Sequence, residues 1–418
     1  MKTIMGTSAL ALTLFAYQAA AADVEPLVTK APKKAPVSWW DTFKVYGHLE
    51  AGVTFNSTNP PDGLNFGHLF TDKANQPLLN QFMLTAERPL DPKATGYDFG
   101  FKVQAMYGSD ARYTHFLGEF DKAINDRNQI DIVEAHVLYH LPWFTSGGVD
   151  VKVGQYVTLE GAETIYPQTN LFYSHSYIFN FGIPFKHTGI MTTTHVDSVL
   201  DLYLGVDSGV NTTIGCCRGD NNRYAAFHGG IGLNLMGGAL TILATTHIGP
   251  ENPQNTLGIN VAAARWLNDL TATWKVNDNL TLITDVNYIR DDGFGATGYG
   301  WAQYAAYKIN DVFKFVARGE IWRDNNAFFV NAFPGNFDFV NSELGLPATV
   351  ISGGVTTYGA ITVGLNITPP VPKAVEGLVI RPEIRYDASL NGTTPFAAGT
   401  KSSQFTFGGD IIIPFTIR

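Results

Sequence analysis

The chain has 418 residues, of which 16% are charged and 13% aromatic, with 42 glycines and a formal net charge of -9. Ordinary soluble domains carry roughly 25% charge, so this composition suits a wall whose outer face meets lipid. The negative balance argues against nucleic acid as a partner, and two cysteines in a chain this long exclude a disulfide framework.

Lys2, the apolar run Ala9–Ala16 and the small residues Ala20-Ala21-Ala22 before Asp23 read as a secretory signal peptide over residues 1–22. No later segment reaches the roughly 18 uninterrupted apolar residues of a spanning helix. A membrane protein of this kind must then be a closed barrel, because only helices and barrels satisfy every backbone polar group in lipid. Residues 23–41, with Lys30-Ala31-Pro32-Lys33-Lys34-Ala35-Pro36, predict a disordered periplasmic leader. No linker divides residues 42–418, which read as one domain.

From Phe43 to Phe55 the pattern has a strict period of two. Phe43, Val45, Leu49, Val53 and Phe55 are expected to touch lipid, and Lys44, His48 and Glu50 to touch water inside. The alternation returns at 81–87, 98–108, 131–141, 149–153, 185–195, 199–206, 224–235, 239–248, 265–276, 279–289, 300–309, 311–322, 357–367, 377–387 and 403–415. Residues 300–309 are the least regular, because Trp301 and Tyr304 differ in parity. These are about 16 segments near the 9–11 residues needed to cross a bilayer, so an antiparallel barrel of about 16 strands (14–16) is expected. Tight turns at Val196-Asp197-Ser198, Met236-Gly237-Gly238, Asn277-Asp278 and Asn310-Asp311 alternate with long polar stretches such as 57–78, 110–128, 158–184, 208–223 and 324–355. Short periplasmic turns and long extracellular loops are the outer-membrane arrangement. Trp266, Trp274 and Tyr288 fit an interfacial aromatic girdle.

The closing segment Thr406–Ile413 resembles the polar-x-Gly-x-x-apolar-x-apolar signal read by barrel-assembly machinery, although the chain ends on Pro414-Phe415-Thr416-Ile417-Arg418 and not on an aromatic. That departure leaves the closing register open. The run from Gly154 to Glu163, with Asn170, Tyr173-Ser174-His175-Ser176, Pro184 and His187-Thr188-Gly189, resembles the signature of the outer-membrane β-barrel porin family described as OmpL-like. Tyr107–Ala111, Arg318, Glu320, Asp324 and Arg381–Asp387 share the resemblance, which covers roughly residues 40–418. It implies a porin of a Gram-negative outer membrane. Cys216-Cys217 fits no part of it and is expected to be incidental rather than a redox switch.

The long stretch 158–184 follows the fifth strand. Folded inward, it would place Glu163, Asn170, Tyr173 and His175 at a constriction selecting solutes by size and charge. As an ordinary surface loop, those polar residues would only pin its fold. Arg381, Glu383, Arg385 and Asp387 alternate in sign on one inward face, with Lys314, Arg318 and Glu320 across the wall. They either set up a transverse field in a wet lumen or simply pair. Ser174, His175 and Glu163 suggest a hydrolase, but Ser174 and His175 are adjacent and would point apart, and no Gly-x-Ser-x-Gly elbow exists. His136 and His140 stand about 13 Å apart on one strand face, too far to share an ion.

The reading is a passive porin for small polar solutes and ions, with no catalytic residue, cofactor or metal. Its expected partners are outer-membrane lipid and lipopolysaccharide, the assembly machinery, the solutes, and copies of itself in a homotrimer. The alternatives are a plugged barrel acting as receptor or adhesin, and an outer-membrane hydrolase.

Overall fold

The computed structural model describes residues 39–121, 127–213, 222–254, 258–334, 341, 346–347, 349–375 and 377–417. The signal peptide, the leader before Trp39 and Cys216-Cys217 lie outside the described residues. The strands are β1 (Lys44–Asn56), β2 (Gln76–Arg88), β3 (Asp98–Gly108), β4 (Gln129–Leu141), β5 (Val149–Val157), β6 (Lys186–His195), β7 (Leu200–Asp207), β8 (Ala226–Leu235) and β9 (Leu240–Pro250). They continue as β10 (Ala264–Lys275), β11 (Leu280–Asp291), β12 (Ala296–Lys308), β13 (Phe313–Asp324), β14 (Asn331–Ala332), β15 (Ile351–Ser352), β16 (Thr356–Ile367), β17 (Val379–Ser389) and β18 (Ser403–Thr416).

Sixteen of them form one closed antiparallel barrel, in chain order from β1 to β13 and on through β16, β17 and β18 back to β1. Each alternating segment of the sequence is one of these strands. The short β14 and β15 pair separately within the loop after β13 and carry no alternation by which to find them. The closing register runs from Tyr46 opposite Thr416 to Asn56 opposite Thr406. The leader reading extends slightly too far: Trp39–Thr42 forms a 3-10 turn whose indole Trp39 Nε1 donates to the Phe99 carbonyl at 3.1 Å.

Three of the short turns share one mechanism. The side-chain oxygens of Asp197, Asn277 and Asn310 each accept from the two backbone N–H groups that start the next strand. Two connections depart from the alternating loop rhythm: 292–295 is a tight turn at the long-loop rim, and 368–378 is a longer connection at the short-turn rim.

The outward faces carry Leu204, Val206, Ile231, Trp301, Ile361 and Ile384 exposed, an apolar exterior of the kind that faces lipid. Trp266, Trp274 and Tyr288 are also exposed on this face, with Trp266 Nε1 donating to Asp292 near the rim. Among the described residues no helix is long and apolar enough to span a membrane. The parity conflict in β12 resolves simply, since Trp301 faces out and Tyr304 is buried inside.

The interior holds a hydrophobic core that the strand pattern did not announce. Leu64, Phe66 and Phe70 from 57–75, Tyr113 from 109–128, Ile165, Phe172 and Phe179 from 158–185, Phe329 from 325–355 and Phe396 from 390–402 pack together inside the wall. Gly300 on the inward face of β12 makes room for this packing. A Cβ there would meet Trp322 at 2.6 Å and Ile178 at 3.1 Å. Two inward expectations need correction. His48 and Glu50 do not touch lumen water: His48 Nε2 meets Gln81 at 3.1 Å, and Glu50 meets Arg381 at 3.3 Å. Lys44 is exposed as expected.

A charge on the outward face tests the lipid assignment. Ile361, two-thirds exposed at the middle of β16, should tolerate leucine, whereas Ile361→Arg should destabilise the barrel by about 2–4 kcal/mol. Urea unfolding in lipid vesicles measures the difference.

Candidate functional site

The segment 158–185 leaves the wall between β5 and β6, and its neck is closed by Thr158 N donating to Phe185 O at 3.0 Å. Its regular structure is one 3-10 turn at Pro167–Thr169 and one π turn at Ile178–Gly182. Such a loop brings many unpaired backbone groups into the interior, where each must find a partner. The barrel wall supplies them from several sides. On β10 and β11, Asp269 accepts from Gly161 N and Asp285 from Ala162 N, both at 3.0 Å, while Asn287 Nδ2 donates to Gly182 O at 3.1 Å. On β2, Gln81 Nε2 donates to Ile165 O at 2.8 Å.

On β17 and β13 the partners are mostly charged. Glu383 accepts from Tyr173 N at 2.9 Å and Ser174 N at 3.1 Å, and Glu320 from Tyr177 N at 2.7 Å. Arg381 Nη1 donates to Pro167 O and Asn170 O at 2.7 and 2.8 Å. Arg385 Nη1 donates to His175 O at 2.6 Å and Arg318 Nη1 to Ser174 O at 2.9 Å. Carboxylates take the N–H groups and guanidiniums serve the carbonyls. The loop therefore crosses the lumen from its root at β5 and β6 to β13 and β17, about eight strands round the barrel, and is held on the way by β10 and β11.

The charges also compensate one another. Arg318 pairs with Glu163 at 2.6 Å and Glu320 at 3.2 Å, and Arg385 with Glu320 at 3.3 Å and Asp387 at 2.7 Å. Arg381 Nε donates to Asp410 at 2.9 Å. Only β16 separates β13 from β17, so Arg318 and Glu320 stand beside Arg385 on one wall and not across from it. The structure brings Glu163, Asn170, Tyr173, His175, Arg318, Glu320, Arg381, Glu383, Arg385 and Asp387 into this cluster, all of them buried. Lys314 is apart from it, exposed near the start of β13.

Ser174, His175 and Glu163 do not form a proton relay. Ser174 Oγ accepts from Arg318 Nη2 at 3.3 Å, His175 Nε2 contacts Asn170 Nδ2 at 3.1 Å, and Glu163 is held by Arg318 and by Ser176 N. The His175 ring stacks on Phe179 with centroids 4.1 Å apart. His136 and His140 also stay separate, His136 Nδ1 lying 3.4 Å from Glu134 and His140 Nδ1 2.6 Å from Asp150. The sequence reading missed Asp269, Asp285 and Asn287 as anchors. The only sign of them was a polar residue at an inward position, which a water-filled lumen explains equally well.

Burial sets the protonation of the loop groups. It lowers the His175 imidazole to about 4. For Glu163 burial favours the neutral acid, but the adjacent Arg318 guanidinium outweighs it and holds the carboxyl below its ordinary range. Burial, reinforced by Asp269 and Asp207, pushes the Glu160 carboxyl well up.

Two outcomes follow for stability. Glu163→Gln leaves Arg318 buried with one carboxylate fewer and should destabilise by roughly 3 kcal/mol, read by urea unfolding in detergent. His175 titrates near 6.5 when unfolded and about 4 when folded, so its contribution is full above pH 6.5 and is lost as pH falls from 6.5 to 4, by up to about 3 kcal/mol. His175→Gln should flatten the pH dependence of unfolding in that window.

The profile of the family described as beta-barrel porin-2, OmpL-like, matches residues 42–415. No curated protein matches the chain. Among solved structures, the chain is similar to the outer membrane channel DcaP of Acinetobacter baumannii, with 12% identity and TM-score 0.51 over 89% of this chain and 97% of that one. It is also similar to an anion-selective porin from Comamonas acidovorans, with 11% identity and TM-score 0.55 over 89% and 99%. A third similar structure is Pseudomonas putida OprB, with 13% identity and TM-score 0.55 over 90% and 94%. At these identities the likeness is one of fold.

Proposed function

This chain belongs to the OmpL-like β-barrel porin-2 family, porins of the bacterial outer membrane, and from that premise we propose that the loop 158–185 is the constriction deciding which small polar solutes and ions pass. The observation that carries the reading is that this loop, rooted between β5 and β6, reaches Glu320, Arg381, Glu383 and Arg385 on β13 and β17 at the far side of the barrel, while Asp269, Asp285 and Asn287 hold it on β10 and β11 in between. Glu163, Asn170, Tyr173 and His175 shape the loop, and Arg318 and Asp387 pair with the charged groups that hold it. Lys314 stands outside this cluster and meets solutes nearer the short-turn rim. Passage is passive and involves no catalytic residue, which the broken arrangement of Ser174, His175 and Glu163 supports.

Residues 1–22 act as a cleaved export signal and 23–38 as a periplasmic leader, read from Lys2, Ala9–Ala16 and the Pro/Lys run. The C-terminal strand offers Thr406–Ile413 to the assembly machinery, and the apolar exterior meets lipid and lipopolysaccharide. The assembly carried forward is a homotrimer, checked by the mass of the folded species in mild detergent.

One observation favours a second reading. An apolar core built from five loops packs inside the barrel, as it would in a closed receptor or adhesin barrel. Planar-bilayer recordings separate the two. The porin reading expects a small, steady conductance that grows and becomes noisy in Glu383→Gln, because Tyr173 and Ser174 lose their anchor. Silence in the native protein, with conductance appearing only after deletion of residues 165–176, would establish the closed barrel instead.

A further inference from the structure

Three histidines and an aspartate converge on the inner wall away from the cluster just described. His187 on β6, Asp207 on β7, His228 on β8 and His247 on β9 come from four neighbouring strands, and each is at most 3% exposed. Pairing places His228 directly opposite His247, and Gly189, two residues after His187, opposite Asp207. The His187 and His228 ring centroids are 4.7 Å apart, and those of His187 and His247 4.8 Å.

The polar atoms facing each other are not satisfied by each other. His187 Nδ1 lies 3.3 Å and His228 Nδ1 3.8 Å from Asp207 Oδ2. None of these three atoms has a hydrogen-bond partner, because the geometry does not aim a donor at an acceptor. Buried polar atoms left this way call for an explanation. The surrounding bonds, by contrast, are well made. His187 Nε2 is engaged with Thr158 Oγ1 at 3.0 Å, and Asp207 Oδ1 with His247 Nε2 at 2.9 Å and Gly209 N at 2.8 Å. Outer partners of this kind orient metal ligands and fix the imidazole tautomer.

We propose that His187 Nδ1, His228 Nδ1 and Asp207 Oδ2 bind one divalent transition-metal ion of the zinc class. Two imidazole nitrogens and a carboxylate oxygen are a donor set for zinc-like ions rather than for calcium or magnesium. Ligand atoms about 2 Å from a tetrahedral ion lie about 3.3 Å from one another; one ligand atom from each of the three residues falls within 4.8 Å of the others, and the two Nδ1 atoms lie 3.3 and 3.8 Å from Asp207 Oδ2. The ion is structural. It ties β6, β7 and β8 together beside the point where 158–185 leaves the wall, and Thr158, which holds His187 Nε2, sits at the neck of that loop. This departs from the sequence expectation of no metal, and it stands whether or not the loop is a constriction.

The test uses the full-length protein folded in detergent, stripped with chelator and titrated with Zn2+ alone. The expected result is one ion per chain and a higher temperature for the heat-modifiable gel shift. His187→Ala and His228→Ala should each weaken uptake at least a hundredfold, His247→Gln should weaken it about tenfold through Asp207, and His136→Ala should leave it unchanged. Co2+ added to the native protein should give the visible absorption of a nitrogen-and-oxygen site, a readout that needs no variant to fold. No stoichiometric Zn2+ uptake, no Co2+ band, or uptake unchanged in both His187→Ala and His228→Ala would each overturn the proposal.

Discussion

Everything distinctive about this barrel depends on one requirement: a loop that enters the lumen must find hydrogen-bond partners for a backbone that has no ladder of its own. The wall meets that requirement with side chains. Glu383, Glu320, Asp269 and Asp285 accept the loop N–H groups, and Arg381, Arg385 and Arg318 donate to its carbonyls. The inward charges are therefore arranged to receive one particular backbone path. Charged partners suit the task because such hydrogen bonds are shorter and stronger than neutral ones.

The same arrangement explains why the charges do not simply repel or drive the loop out. Glu163 comes from the loop itself and pairs with Arg318, so docking gives this buried guanidinium a second carboxylate beside Glu320. Removing a buried partner is far more damaging than the net stabilisation of the pair would suggest, which makes the docked position specific as well as stable. Apolar contacts work in the same direction. Phe172, Phe179 and Tyr177 join loop residues from four other connections, and the small inward residues of β12 leave the space they need. The barrel thus has two apolar regions, one outside facing lipid and one inside made of loops, with a polar layer of wall residues between them.

Much of the architecture was legible in the amino-acid order. A strand crossing lipid must alternate at every second residue, and the alternation at each of the sixteen barrel strands is strong enough to place it within a few residues. Turn residues such as Asp197, Asn277 and Asn310 marked the short connections for a local reason, the reach of a side-chain oxygen to the next N–H groups. The charged pattern Arg381, Glu383, Arg385 and Asp387 was equally plain, and so was its inward direction. What these residues touch was not. Glu50 and His48 were assigned to water because inward polar residues in a wide barrel normally meet it, and their partners Arg381 and Gln81 come from other strands, 331 and 33 positions away in the chain.

The sequence by itself determined the barrel, its strand positions, the direction of most wall side chains and the family to which the chain belongs, because alternation, turn chemistry and signature residues are local properties. Only the tertiary structure decided that 158–185 crosses the lumen, that Arg318 and Arg385 share one wall, and that His187, Asp207 and His228 meet. Those outcomes depend on which strands are neighbours and in what register. Register is a relation between distant segments, set by closure of the whole sheet and by the packing of loops inside it.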